Sequence, residues 1–318
     1  MKYIAICPQG LEDITQKEIK EVLTATSKIV SPGRVSFQTS TIQKLLKKTQ
    51  SIIKLYELKQ TCKTHQEIES FSLKAPFRVV CSKSDDYSLN SQEVERFVGE
   101  KFFLKGYAVD LTHPTSIVFV DIVEGNIFVG LDLTPELLSR RKYRIKIHNQ
   151  SLNACIAYGL VRLSGYSGKK TFLDPFAKDG IIAIEAALYK KGKIIAYDSL
   201  FPHVKNVEIN ATLAHVRKDM TISRIEPEWL DTKFGDDEVD FIVTALPFAS
   251  KTQPENEVKI IYKDFISHVT YILSKKGRLV VIAPSLYLFK EMAGSLKIIE
   301  ERMISTSNLT YSVIIFKR

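Results

Sequence analysis

The alternation of short apolar strands with helical segments after residue 152 constrains the fold of this 318-residue chain most strongly. Helical segments separate runs rich in β-branched residues, which begin at Thr171, Lys193, Asp219, Val239 and Gly277. Apolar strands joined by helices form a parallel sheet that is covered on both faces. Two closing runs, 295–304 and 310–318, leave no room for a helix between them, so we expect an antiparallel hairpin. The sequence predicts a doubly wound α/β domain over residues 152–318.

The first 135 residues show a different pattern, in which strands and helices build two smaller α+β units. Residues 1–60 follow the order strand, helix, strand, helix, strand, which predicts an N-terminal ferredoxin-like domain. Residues 61–135 form the second unit, whose helix is predicted to stop at Gly106. Residues 136–151 break the periodic pattern and are predicted to form a basic linker.

Composition limits the class of protein. Hydrophobic residues make up 45% of the chain and charged residues 25%, as in ordinary globular proteins. No stretch approaches the roughly 18–20 apolar residues of a membrane span, and no signal-peptide pattern is present, so a cytoplasmic location without a membrane partner is expected. The four cysteines form no C-x-x-C pair and the six histidines are dispersed, so neither a disulfide framework nor a metal site is expected.

The charge of the chain favours a polyanionic partner. The formal net charge is +9 and the sequence pI is about 9.1, although a solvated basic surface is the alternative explanation. The basic residues are densest between positions 140 and 146. This cluster consists of Arg140, Arg141, Lys142, Arg144 and Lys146, with Tyr143 among them.

Three long stretches match one family in the same order. They are "PQGLEDITQKEI" near the start, "VDLTHPTSIVFVDIVEGNIFVGLDLTPELLSRRKYR" in the middle, and "SLNACIAYGLVRLSGY" after residue 150. Through them the chain resembles the THUMP-domain RNA methyltransferases, in particular the tRNA guanine-N2 methyltransferases. The resemblance implies a THUMP RNA-binding domain at 61–135 and a class I, Rossmann-like methyltransferase domain at 152–318. It also implies S-adenosylmethionine as cofactor, no metal, and structured RNA, above all tRNA, as partner.

The basic cluster is the first candidate for RNA contact. Modules that read double-stranded RNA recognise shape, phosphates and 2′-hydroxyls, and a linker between such a module and a catalytic domain lies where RNA should pass. Tyr143 is predicted to stack on an unpaired base. The alternative is a linker whose charges only keep it soluble. The predicted RNA-binding residues are Arg140, Arg141, Lys142, Tyr143 and Arg144, with Arg78 and Lys83 as weaker candidates.

The loop after the first strand of the predicted methyltransferase domain departs from the family pattern. The family has D-P-M-C-G-S-G where this chain has "DPFAKDG". Asp174, Pro175 and Gly180 match and are predicted to hold the cofactor, whereas Lys178 replaces the first glycine. Lys178 either obstructs the methionyl carboxylate and repels the sulfonium, or reaches outward and pairs with that carboxylate.

Two acidic residues complete the predicted cofactor site. Asp198 ends the second strand, where the family has a carboxylate for the ribose hydroxyls, and a carboxylate there can accept two hydrogen bonds. Glu226 lies near the end of the third strand, where the family's acidic residue binds the adenine amino group. Asn210 also matches a family asparagine.

The catalytic loop departs from the family as well. The family has N/D-L/P-P-Y, and this chain has "TALPFAS". Pro247 matches and Phe248 replaces the tyrosine, so these two are predicted to position and stack on a flipped base. Ala245 occupies the usual Asn/Asp position, and its side chain cannot hydrogen-bond an exocyclic amine. The predicted cost is about 3 kcal/mol, roughly a hundredfold in rate. The side chain of Thr244 is expected to face away from this loop.

Two functions remain open from the sequence. One is S-adenosylmethionine-dependent methylation of guanine N2 in tRNA. The other is a catalytically inactive relative that binds RNA or a protein partner. A nicotinamide-dependent oxidoreductase is disfavoured because no G-x-G-x-x-G follows a strand.

Overall fold

The computed structural model describes residues 1–83, 87–250, 253–306 and 309–318. The chain divides into two compact units, Met1–Leu138 and Ser139–Arg318. Among the described helices, none is both long and apolar enough to cross a membrane.

The first unit is built on one seven-stranded sheet. Its strands are β1 Lys2–Ile6, β2 Ser27–Ser31, β3 Arg34–Gln38, β4 Lys54–Cys62, β5 Phe77–Lys83, β6 Ser116–Val123 and β7 Asn126–Asp132. Its helices are α1 Glu12–Leu23, α2 Ile42–Leu46 and α3 Ser91–Phe103, with a short 3-10 helix at His65–Glu67. The strand order is β2-β3-β1-β4-β7-β6-β5, and only β5 and β6 pair in parallel. A capping box at Asn90 and Glu93 begins α3.

The predicted border at residue 60 lies inside β4. This strand pairs antiparallel with β1 on one side and with β7 on the other, so one sheet runs through both predicted modules. The register joins Tyr56 to Asp132, residues far apart in the sequence. The structure therefore differs from the prediction of a separate domain at 1–60. The reason is long-range strand pairing, which the local sequence pattern does not encode.

The second unit contains the other seven-stranded sheet. Its strands are β8 Thr171–Asp174, β9 Lys193–Asp198, β10 Met220–Arg224, β11 Val239–Ala245, β12 Leu273–Ala283, β13 Lys297–Thr306 and β14 Leu309–Lys317. Its helices are α4 Ala154–Ser164, α5 Ile181–Tyr189, α6 Phe201–Leu213, α7 Glu255–Ile272 and α8 Tyr287–Met292. Two 3-10 helices span Arg217–Asp219 and Pro227–Thr232.

The strand order of the second sheet is β10-β9-β8-β11-β12-β14-β13. The first five strands pair in parallel, whereas β14 runs antiparallel to both β12 and β13. This confirms the predicted doubly wound α/β fold and its closing hairpin. The strand order reverses between β8 and β11, and ligands of open α/β sheets bind at the carboxyl ends of strands beside such a reversal.

The segment predicted as a linker divides between the two units. The boundary lies between Leu138 and Ser139, so residues 139–151 belong to the same unit as the parallel sheet. The backbone N–H of Lys146 donates to the side chain of Asn210, and the amide of Asn210 donates back to the Lys146 carbonyl. This part of the segment is held by side chains of the second unit, which a sequence without periodicity does not reveal.

Candidate functional site

A cavity of about 650 Å³ lies at the carboxyl ends of the parallel strands of the second unit. Several elements contribute to it: the loop after β8, the ends of β9 and β10, the loop after β11, and helix α7. Its lining includes Phe176, Lys178, Asp198, Glu226, Pro247 and Asp264. A cavity of this size is within the range of small-molecule sites, and it lies at the strand-order reversal.

Asp174 ends β8 and is a deeply buried acid near the cavity, with 1% of its surface exposed. Its Oδ1 accepts a 2.7 Å hydrogen bond from the hydroxyl of Thr244, the penultimate residue of β11. Burial raises the pKa of Asp174 to about 7, against the lowering effect of the Thr244 hydrogen bond. Thr244 is fully buried, so its hydroxyl supports Asp174 and is not available to a substrate.

Lys178 retains a backbone conformation that normally favours glycine. Its φ is +52°, in the left-handed region that glycine adopts without strain. Its backbone N–H donates a 2.9 Å hydrogen bond to Oδ2 of Asp198. Its ammonium lines the cavity and donates to the side-chain oxygen of Gln150 at 3.3 Å. Burial lowers the pKa of Lys178, and the charges of Asp174, Asp198 and Asp179 oppose that shift.

Gly180 closes the loop at the start of α5. Its φ is +83°, and a Cβ at this position would lie 2.7 Å from a methyl carbon of Val207. The glycine is therefore needed both for its backbone conformation and for close packing of α5 on α6. Pro175, at the other end of the loop, is buried. Both residues shape the loop, and neither brings a polar side chain to the cavity.

Asp198 is held by three donors of its own chain. The N–H of Leu200 and the ring Nδ1 of His203 contact Oδ1 at 3.0 and 2.9 Å, and the N–H of Lys178 contacts Oδ2. A carboxylate has about four acceptor positions, so Oδ2 keeps capacity for one more donor. His148 packs edge-on against His203, with ring centroids 4.9 Å apart. Burial lowers the pKa of His148, and the nearby His203 and Lys178 lower it further.

Glu226 lines the same cavity and is half-buried. It follows β10 and precedes the 3-10 helix Pro227–Thr232. The guanidinium of Arg224 lies 3.7 Å from its carboxylate. Glu226 is therefore brought together with Asp198 from the neighbouring strand, as the sequence predicts.

The loop after β11 contributes only Pro247 to the cavity wall among its predicted residues. Ala245 and Phe248 are half-buried but are absent from the described lining. The hydroxyl of Tyr262, on α7, donates a 2.5 Å hydrogen bond to the Pro247 carbonyl and fixes the loop against the helix. Two other residues of this helix lie on the cavity wall. Asp264 contributes a carboxylate, and Ile261 contributes an apolar side chain.

Sequence reasoning missed several residues of the cavity. His148 and Gln150 lie in the predicted linker, where no pattern distinguishes them from solvated residues. His203 follows Asp198 by five positions, at the start of α6, and this proximity was the one available signal. Asp264 occurs on an amphipathic helix, where a polar residue is ordinary and carries no indication of function.

Part of the predicted RNA-binding cluster is buried in the second unit. Glu185, fully buried on α5, accepts two hydrogen bonds from the guanidinium of Arg141 at 2.8 and 3.1 Å. The hydroxyl of Tyr143 donates to the same carboxylate at 2.6 Å. Tyr143 is 7% exposed, so the prediction that it stacks on an unpaired base does not fit its burial. Arg141 is likewise committed to Glu185, whereas Arg140 and Lys142 are exposed.

Arg144 also has an internal role. Its guanidinium donates to the Ser151 hydroxyl at 2.7 Å and lies 3.5 Å from the carboxylate of Asp179. Asp179, the loop residue next to Lys178, is 1% exposed, and the amide of Asn210 donates to its backbone carbonyl. This group of contacts connects residues 144–151 to the cofactor loop and gives Asn210 a structural role.

The two candidates in the first unit differ in the contacts of their charged groups. The ammonium of Lys83 donates to the backbone carbonyls of Tyr87 and Leu89, both at 3.2 Å, so it holds the segment before α3. Arg78 donates to the Leu111 carbonyl at 3.3 Å and lines a second cavity beside α3. Lys83 is therefore less available to a ligand than Arg78.

Comparison with known families assigns both parts of the chain. Residues 141–313 match the RMKL-like methyltransferase domain, and residues 54–132 match the THUMP domain. The first match covers more than half of the chain, and the second begins with β4 and ends with β7.

Similar proteins extend this result over the whole chain. A tRNA (guanine(6)-N2)-methyltransferase of Archaeoglobus fulgidus is 23% identical over 99% of this chain and 92% of its own length. The crystal structure of TrmN from Thermus thermophilus has a TM-score of 0.83 at 23% identity, covering 100% of this chain and 99% of that one. The structure of SMU.472 complexed with SAH has a TM-score of 0.80 at 15% identity, covering 99% and 97%. The chain is a THUMP-containing homologue of tRNA guanine-N2 methyltransferases, and it belongs to the RMKL-like methyltransferase family.

Proposed function

We propose that this chain binds S-adenosylmethionine in the cavity of its second unit and methylates N2 of a guanine in tRNA. The observation that carries the proposal is the convergence of Asp198, Glu226 and Pro247, from three strand ends, on one cavity of about 650 Å³. The names of the relatives support the substrate class, and SMU.472, which shares the fold, is complexed with SAH.

The residues present fit this cofactor. Oδ2 of Asp198 accepts one N–H and has capacity for a ribose hydroxyl, and Glu226 offers a second carboxylate on the same wall for the adenine amino group. The backbone of Lys178 lies in the left-handed region that glycine adopts without strain. S-adenosylmethionine supplies an electrophilic methyl group on a sulfonium. Asp174, behind the loop, is an acid whose charge depends on pH near neutrality, because burial raises its pKa to about 7.

The catalytic loop supports the reaction with fewer contacts than the family pattern has. Pro247, fixed through Tyr262, forms one wall for the base, and Phe248 is the aromatic residue nearest to it in sequence. The methyl side chain of Ala245 cannot accept a hydrogen bond from the guanine amine. The missing contact costs about 3 kcal/mol, so we expect a slow enzyme with roughly a hundredth of the rate.

RNA binding is proposed for both units. The THUMP domain supplies recognition of RNA shape, with Arg78 as its candidate side chain. In the second unit, the exposed Arg140, Lys142 and Lys146 supply charge for phosphate contacts. Arg141, Tyr143 and Arg144 act inside the protein and are not part of this surface.

The test is incorporation of labelled methyl groups into tRNA that lacks modifications, followed by nucleoside mass spectrometry. The proposal predicts N2-methylguanosine with the wild-type protein and none with Asp198→Ala, whose tRNA affinity should be unchanged. A folded wild-type protein that binds tRNA but yields no methylated nucleoside would overturn the proposal. That outcome would favour an inactive relative that serves as an RNA-binding module.

A further inference from the structure

The ammonium of Lys178 is a cation in the cavity with unused hydrogen-bonding capacity. An ammonium has three donors, and the one hydrogen bond of Lys178 Nζ within the described part of the chain goes to a neutral amide oxygen, that of Gln150. Among the described residues, no carboxylate lies within 4.0 Å of it. The carboxylates of Asp174, Asp179 and Asp198 act on this half-buried charge only from beyond that distance, so two of its donors remain for a ligand that brings a negative group.

Two other basic side chains on the cavity wall already contact carboxylates. Arg224 lies beside Glu226, and His203 contacts Asp198 at 2.9 Å. The ring of His148 accepts the N–H of Gln150, so among the described residues of this wall the Lys178 ammonium is left with donors for an incoming anion. The backbone places it well, because its own N–H holds Asp198 at 2.9 Å. Lys178 and Asp198 therefore line the cavity side by side, so one ligand that contacts Asp198 can also reach the Lys178 side chain.

We propose that the Lys178 ammonium binds the α-carboxylate of the amino-acid part of the nucleoside cofactor. This inference rests on the proposed function and deepens it, since it assigns one end of the ligand to a residue that replaces a glycine of the family. Of the two alternatives that the sequence left open for Lys178, the proposal adopts pairing with the carboxylate. The left-handed φ of +52° lets the side chain leave the loop while the main chain keeps its bond to Asp198.

Two other roles fit the observations less well. A purely obstructing lysine would leave two of its three donors unused in a site where burial already lowers its pKa. A contact with an RNA phosphate would require the polyanion to approach Asp174, Asp179 and Asp198, all at least nine-tenths buried beneath the loop. The single α-carboxylate of the amino-acid part can meet the ammonium without bringing any phosphate close to these acids.

The test compares two ligands by calorimetric titration of the full-length protein. S-adenosylhomocysteine carries the α-carboxylate, whereas 5′-methylthioadenosine has the same nucleoside and sulfur without the amino-acid part. Lys178→Met removes the charge at similar length, and Lys178→Gly restores the glycine of the family. Lys263→Met, at an exposed position on α7, is the matched control with the same loss of charge.

The proposal predicts that Lys178→Met and Lys178→Gly each weaken S-adenosylhomocysteine binding by about 10- to 100-fold, the usual effect of losing a hydrogen bond to a charged group. Binding of 5′-methylthioadenosine and of tRNA should stay within about twofold, as should every affinity of Lys263→Met. Equal or tighter binding of S-adenosylhomocysteine by Lys178→Gly overturns the proposal and identifies the side chain as an obstruction. If the Lys178 variants lose affinity only for tRNA, the proposal is overturned in favour of a contact between Lys178 and an RNA phosphate. Both of these outcomes leave the proposed function intact. A wild-type protein that binds neither S-adenosylhomocysteine nor 5′-methylthioadenosine would overturn the proposed function together with this inference.

Discussion

The Thr244 hydroxyl donates a 2.7 Å hydrogen bond to Asp174, and this bond joins the carboxyl ends of the neighbouring parallel strands β11 and β8. Asp174 leads into the proposed cofactor loop, and Thr244 leads into the catalytic loop. Because both side chains are almost fully buried, the bond fixes the spacing of the two loops at the point where the strand order reverses.

Thr244→Val should therefore destabilise the protein. Valine has the same shape but lacks the donor, which leaves a buried carboxyl oxygen with one partner fewer. The expected loss is about 1–3 kcal/mol in the free energy of unfolding, measured with urea. Thr244→Ser keeps the hydroxyl and is the control. A valine variant as stable as the serine variant would show that the bond contributes nothing.

The stability of the protein should depend on pH through Asp174. In the unfolded chain an aspartate has a pKa of about 3.9, and in the folded protein burial raises it to about 7. The folded state therefore binds the proton more tightly, so the stability from this group is present below about pH 3.9 and is lost as the pH rises to about 7.

Asp174→Asn stays neutral and should remove this loss. The difference in unfolding free energy between the variant and the wild type should grow in the variant's favour between about pH 4 and pH 7, then stay constant. Urea unfolding over this range measures the difference. Parallel pH profiles of the two proteins would contradict the shifted pKa.

The buried group of Glu185, Arg141 and Tyr143 should contribute mainly to stability. Glu185→Gln leaves the guanidinium of Arg141 without its counter-charge, and the expected loss is about 3 kcal/mol. The same substitution in an exposed pair, Glu208→Gln opposite Arg217, should change stability by less than about 1 kcal/mol. Similar losses in both variants would mean that burial does not govern the contribution of the pair.

The exposed members of the basic cluster should contribute to RNA binding. The double variant Arg140→Ala/Lys142→Ala should weaken tRNA binding and reduce the slope of log affinity against log salt by up to about 2, about one for each phosphate contact. Lys275→Ala/Lys276→Ala removes the same charge at the opposite, amino end of β12 and should leave the slope unchanged. Equal effects of the two double variants would indicate that only net charge matters.

A polar side chain at position 245 should increase the rate of methylation. Ala245→Asn restores an acceptor for the guanine amine, and the expected gain in kcat is up to roughly a hundredfold, with little change in the affinity for S-adenosylhomocysteine. Single-turnover methylation of tRNA measures the gain. A rate no higher than that of the wild type would mean that another group already makes this contact, and Asp264 on the cavity wall would be the first residue to examine.

The sequence predicts the second unit well because its signals are local. The apolar periodicity of strands and helices, and the short spacing before the last strand, suffice for the doubly wound sheet and its hairpin. Asp198 and Glu226 were assigned to one site through the family resemblance, which places acidic residues near the ends of these two strands. Other features depend on contacts between distant residues: the pairing of β4 with β7, and the bond from Tyr143 to Glu185, 42 positions away. No local pattern encodes those contacts, and a cluster of charges looks alike in the sequence whether it is solvated or buried.

Calorimetric titration of the wild-type protein and Asp198→Ala with S-adenosylhomocysteine tests the central claim most directly, namely that the cavity holds a nucleoside cofactor. The account predicts micromolar binding by the wild type and loss of binding in the variant, with unchanged tRNA affinity. A folded wild-type protein that binds tRNA and shows no interaction with the nucleoside would contradict it.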